Sequence, residues 1–142
     1  MAKYKVASNS IIKIDNSLGT SIDLSAYVDT ISALGKEVQS LDVTSFSDAA
    51  ERVIAGIETS QEFTISGAFD DAATTGPDAI LAPLVGTLGS WIWYPAGTTA
   101  GRRKFSAEAL CIAYRVRGEV KGRVEYECVF KQDGSCTVGT AP

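Results

Sequence analysis

The chain contains no histidine. The residue that most often serves as general base and as zinc ligand is therefore missing, which excludes Ser-His-Asp triads, HExxH zinc sites and imidazole acid–base schemes. Cysteine is scarce: Cys111, Cys128 and Cys136 lie 17 and 8 positions apart, match neither CxxC nor a zinc-knuckle spacing, and permit at most one internal disulfide. Basic residues are outnumbered, 13 Lys and Arg against 17 Asp and Glu for a formal charge of −4. That balance argues against a dedicated nucleic-acid binder, which needs a basic surface to displace phosphate counterions. No apolar run in residues 1–16 is long enough for a secretory leader, so synthesis in a cytoplasm is expected. The longest uncharged stretch, residues 79–101, is interrupted by Pro83, Gly86, Gly89, Pro95 and Gly97, and no membrane segment is expected.

What is present is alternation. At 142 residues and 45% hydrophobic, the chain is long enough for one domain with its own core. In residues 61–69, Phe63, Ile65, Gly67 and Phe69 share one face, the pattern of a half-buried strand. Residues 123–131 repeat it, with Val124, Tyr126, Cys128 and Phe130 inward, and Asp133-Gly134 predicts a tight turn into a final hairpin strand over 135–138. Residues 105–116 form a long strand with Leu110, Ile112, Tyr114 and Val116 on one side and Ala107, Ala109, Cys111 and Ala113 on the other. Weaker strands are expected at 11–14, 22–34 (broken near Ser25), 37–46 and 91–94. Gly76-Pro77-Asp78 opens a short helix over 77–89 through Ile80, Leu81, Leu84, Val85 and Leu88, with Pro83 removing one backbone donor. Residues 47–60 read as irregular but carry apolar Val53, Ile54 and Ile57, and a connection of that length usually has a task. Residues 1–100 hold 5 bases and 12 acids, residues 101–142 hold 8 and 5, an asymmetry that lets one surface of a copy attract another surface of the next.

Motifs that carry chemistry are absent. The run Gly97-Thr98-Thr99-Ala100-Gly101-Arg102-Arg103-Lys104 has glycines and bases but not the spacing of a phosphate-binding loop. Asp70, Asp71 and Asp78 lack the order of a calcium loop and fit turn and cap roles. A carboxylate pair acting on a glycoside needs no histidine, but the domain is small for a substrate cleft. Trp91, Trp93 and Tyr94 offer either a sugar-stacking platform or core and rim. No enzyme activity and no cofactor or metal is expected.

The order of these features resembles a bacteriophage tail tube protein (major tail protein). The likeness is carried by Asp23-Leu24-Ser25-Ala26-Tyr27-Val28, by Leu41-Asp42-Val43-Thr44-Ser45-Phe46-Ser47-Asp48, and by Ile54-Ala55-Gly56-Ile57 leading into Phe63-Thr64-Ile65-Ser66-Gly67-Ala68-Phe69-Asp70-Asp71. It continues through the short helix, the Trp91-Ile92-Trp93-Tyr94-Pro95 segment and the last strands. Within residues 41–71 it is nearer to the proteins of non-contractile tails, although the tube fold is common to both kinds. The resemblance implies one tail-tube-like domain over 1–142, with an N-terminal arm at 1–10 and a long assembly loop at 42–60. It implies a β-sandwich of two packed antiparallel sheets, whose inner sheet joins those of neighbours into a ring-shaped barrel, six copies per ring. Stacked rings would form a hollow virion tube that surrounds a tape-measure protein, conducts genome DNA in transit only, and meets tail terminator and baseplate proteins.

The candidate residues follow from this reading. Val53, Ile54 and Ile57 are the expected ring-to-ring contacts, because apolar side chains in an exposed loop call for a partner. Glu125 and Glu127, alternating away from the apolar face, are expected to line an acidic lumen that repels DNA phosphates. Cys128 is expected to be buried, and Cys136, just past the turn, to be the accessible thiol and the candidate for a bond between subunits. The competing reading is a monomeric carbohydrate- or protein-binding β-sandwich module that uses Trp91, Trp93 and Tyr94.

Overall fold

The described residues form nine strands, several of them built on alternating apolar and polar side chains: β1 (Ile11–Asp15), β2 (Ser21–Asp23), β3 (Thr30–Ile31), β4 (Val38–Asp42), β5 (Val53–Glu58), β6 (Glu62–Ala68), β7 (Leu88–Tyr94), β8 (Arg103–Arg117) and β9 (Glu125–Thr140). Helix α1 (Pro77–Leu81) and a 3-10 turn (Ala82–Leu84) lie between β6 and β7. The computed structural model describes residues 10–32, 35–71, 76–118 and 120–142, so all of the expected arm but Ser10 falls outside the described residues. Seven strands form one antiparallel sheet in the order β2-β1-β7-β8-β9-β6-β3, and β4 pairs with β5 in a separate hairpin. The chain is mainly β, with two antiparallel sheets and one short helix, as its sequence predicts.

A flat sheet of this order would separate β1 from β6 by four strand spacings, about 19 Å. The chain instead joins them through residues 24–29, where the Leu24 N–H donates to Ile12 O at 3.0 Å and the Asp29 N–H to Ser66 O at 2.9 Å. Phe63 on β6 and Trp91 on β7 stand three positions apart in the sheet, yet their ring centroids are 4.8 Å apart. The sheet therefore curls until its two halves face each other, and those halves are the layers of the sandwich. Between them lie Ile12, Ile14, Leu24, Ile65, Tyr126, Cys128 and Phe130, with Ile80, Leu81 and Leu84 of the helical segment packed in the same core. Gly67 permits the closure, because a Cβ there would sit 1.9 Å from Tyr27 O.

Four local expectations are corrected. The Asp133-Gly134 turn does not form: Asp133 pairs with Glu108 and Thr137 with Ser106, so residues 134–136 bulge opposite Ala107 and β9 runs on alongside β8. Gly134 supplies the bend with φ +79°, and the Gln132 side-chain amide donates to Gly134 O at 2.9 Å, so pairing along β8 overrides the local turn preference. A second bulge shifts the register between Cys111 and Ala113, which turns Tyr114 to the inner face opposite Cys128 and leaves Leu110 outside opposite Lys131. The helical segment stops at Leu84, Val85 bridges to Cys111, and Leu88 begins β7 instead of ending a helix. Residues 47–60 are not irregular throughout, because 53–58 is strand β5.

Candidate assembly surface

The β4–β5 hairpin projects from the sandwich and leaves apolar side chains uncovered on both faces. Leu41 opposes Ile54, and Asp42 opposes Val53, with a register irregularity nearer the base. Val53, Ile54 and Ile57 are 63%, 52% and 79% exposed. The structure adds Val38, Leu41, Val43 and Phe46 to the same uncovered set. Seven aliphatic and aromatic side chains on one small projection form a patch of the kind that marks an interaction site.

The projection is ordered by its own polar groups. The Asp42 carboxylate accepts the Thr44 N–H at 2.9 Å, the Thr44 hydroxyl accepts the Arg52 N–H at 2.8 Å, and Asp48 accepts the Ser45 N–H at 2.8 Å. Hydrogen bonding from Thr44 holds the Asp42 carboxyl below the usual carboxylate range. At the base, Glu58 fixes the hairpin to the β9 bulge: its carboxylate accepts the Cys136 N–H at 3.0 Å and the Ser135 hydroxyl at 3.2 Å, and lies 3.9 Å from Lys36 Nζ. Ser60 Oγ donates to Gln132 O, and the Gln61 side-chain amide donates to Glu37 at 2.9 Å. A stiff apolar projection on a polar clamp is suited to docking without prior ordering, which lowers the entropic cost of association.

Glu125 and Glu127 lie on the outer face of β9, as alternation predicts, but neither stands alone. Glu125 pairs with Arg117 at 2.8 Å and with Arg123 at 3.0 Å, and Glu127 with Arg115 at 3.6 Å. Arg117 and Arg123 hold the Glu125 carboxyl below its ordinary range, and Arg123, which also pairs with Asp29, lowers that group too. The face they form is charge-balanced, so these two residues contribute no unopposed negative charge.

The aromatic platform does not exist. Trp91 is 1% exposed in the core, Tyr94 is buried, and Trp93 leans on Phe105 with ring centroids 6.0 Å apart while its indole N–H donates to Ser10 Oγ at 2.8 Å. Cys128 is buried as expected. Cys136, expected to be accessible, is 0% exposed, because the bulge turns it inward. Burial raises its thiol pKa, and the predicted accessible thiol is corrected to a core residue. Among the described residues no group of three or more His, Cys, Asp or Glu side chains is placed to hold a metal ion, and no helix is long and apolar enough to cross a membrane.

By sequence, the chain matches no protein-family model and no curated protein. Among solved structures it is similar to a chain from the tail of an empty gene transfer agent particle refined with C6 helical symmetry, with TM-score 0.72 and 16% identity over 97% of this chain and 99% of that one. It is also similar to a chain from the sheath/tube terminator of an extracellular contractile injection system in its extended state, with TM-score 0.69 and 11% identity over 98% of this chain and 99% of that one. A third likeness is to a chain from the tube-terminating cap of the anti-feeding prophage, with TM-score 0.66 and 12% identity over 99% of this chain and 95% of that one. Over nearly its whole length the chain has the fold of components of phage-like tails and injection assemblies, and the resemblance read from its sequence holds at the level of the fold.

Proposed function

We propose that the protein is a structural tail tube subunit, which self-associates into stacked rings, six copies to a ring, and forms the hollow tail of a phage or phage-derived particle. The observation that carries this reading is the β4–β5 hairpin, a preordered projection on which Val53, Ile54 and Ile57 stay more than half exposed among the described residues. A heterologous contact between this projection and a different surface of the next copy generates stacking without limit, the geometry of a tube. Ring closure would extend the main sheet from copy to copy and remove its exposed edges, which β2 and β3 blunt within the subunit by being only 3 and 2 residues long.

In this reading Val53, Ile54 and Ile57 make ring-to-ring contacts, and the outer face of β8 and β9 with Glu125 and Glu127 lines the lumen. The lining acts by being polar and charge-balanced, so DNA passes without a row of free cations to hold it. A tape-measure protein inside the tube, a tail terminator, and tip or baseplate proteins are the implied partners, and the role is structural, without catalysis. Negative-stain electron microscopy of the purified protein tests the proposal: rings or hollow tubes are expected, and small featureless particles at every concentration contradict it.

A further inference from the structure

Cys111 on β8 and Cys128 on β9 project from the inner face of the sheet toward each other, with sulfurs 3.3 Å apart and both residues buried. They are not directly opposed, since Cys111 faces Phe130 and Cys128 faces Tyr114. The bulge at Ile112 brings them into diagonal contact. The sequence permits one internal disulfide, and this geometry selects its two members from three cysteines, with Cys136 set apart against Glu58. We propose that Cys111 and Cys128 are an oxidisable dithiol, a modification site that closes to a cross-strand disulfide and staples the two longest strands of the domain beside the bulge that interrupts their pairing. This inference is independent of the assembly reading.

The sulfurs, 3.3 Å apart, need approach by little more than about 1 Å to reach bonding distance, near 2.05 Å. Either thiol can donate across the 3.3 Å contact; the contact with Cys128 draws the Cys111 thiol pKa down, while the same contact and burial push Cys128 up. Either sulfur can attack first, and the balance is the same in both orders; with Cys111 first it runs through a sulfenic acid on that residue. With hydrogen peroxide as oxidant, the Cys111 thiolate attacks one peroxide oxygen, the O–O bond breaks, and Cys111 becomes a sulfenic acid as hydroxide leaves. The Cys128 sulfur then attacks the Cys111 sulfur, the S–O bond breaks, and the Cys128 proton ends on the departing oxygen as water. Two thiols and one peroxide give one disulfide and two waters. Burial selects a small uncharged oxidant, because a bulky disulfide reagent has no access to the core.

The test is peroxide treatment of the native full-length protein, quenching in acidic denaturant, alkylation and peptide mapping by mass spectrometry. The expected result is the loss of two hydrogens, a linked peptide pair containing Cys111 and Cys128, and alkylation of Cys136 alone. The Cys136→Ser variant should give the same linked pair. Three alkylated cysteines, a sulfinic acid at Cys111, or a linkage that includes Cys136 overturns the proposal.

Discussion

The Glu58 carboxylate accepts the backbone N–H of Cys136 at 3.0 Å, and this contact joins the free-standing hairpin to the bulge of the longest strand. Glu58→Ala should leave a folded subunit, because the core lies elsewhere, but should lower its stability by about 1.5–3 kcal/mol, the range for hydrogen bonds to a charged group. Assembly should weaken as well, since the hairpin loses its fixed angle. Glu58→Gln keeps an acceptor for the Cys136 N–H and should recover part of both effects. Urea unfolding and sedimentation of the three proteins provide the comparison, and an unchanged unfolding midpoint for Glu58→Ala would show that the clamp has no weight.

Ile57, the most exposed of the three apolar residues chosen from sequence, should govern assembly without governing folding. If it becomes buried between copies, its removal from water is worth about 1.5–3 kcal/mol per contact. Ile57→Asp should then raise the concentration needed for assembly by about ten- to a hundredfold, measured by light scattering, while its circular dichroism and unfolding midpoint remain those of the wild type.

Gly67 should tolerate no side chain. A Cβ at that position meets the Tyr27 carbonyl oxygen, which also accepts the Tyr126 hydroxyl at 2.8 Å. Gly67→Ala must push apart the segment that closes the curled sheet, at a cost of about 3 kcal/mol or more, the upper end for overpacking. A thermal midpoint within experimental scatter of wild type would refute the closure argument.

Alkali should unfold the protein through two tyrosines. Burial pushes the Tyr126 hydroxyl above the ordinary tyrosine range, and burial together with its 2.9 Å hydrogen bond to Asp78 does the same for Tyr114. Because the folded state holds these protons more tightly than the unfolded chain, their contribution is fully present below about pH 10 and is lost as pH rises above it. Tyrosinate absorbance should show Tyr114 and Tyr126 ionising only together with unfolding. Their early, independent titration in folded protein would contradict the burial.

The sequence was most readable where alternation was uninterrupted. Phe63, Ile65 and Gly67 on β6, and Tyr126, Cys128 and Phe130 on β9, lie inward as their period of two requires. It misled where the backbone bulges. A single extra residue at Ile112 turned Tyr114 to the core, and residues 134–136, which carry an Asp-Gly turn signal at their edge, bulge against β8 and carry Cys136 inward. Strand β5 is not legible in the sequence because Ala55-Gly56 breaks the alternation between Ile54 and Ile57, and its order comes from pairing with β4. Phe46 was visible as an aromatic but not as an exposed one, since exposure depends on the hairpin leaving the body of the domain. The arginine partners of Glu125 and Glu127 could not be read from β9 alone, because two of the three, Arg115 and Arg117, stand on the neighbouring strand.

In the proposed tube the β4–β5 hairpin carries one ring onto the next. The most direct test is electron microscopy of tubes grown from the wild type beside a variant lacking residues 49–56. The wild type should form hollow tubes whose helical reconstruction buries Val53, Ile54 and Ile57 between rings, and the deletion should give a folded, soluble subunit that does not stack. Normal tubes from the deletion would contradict the account.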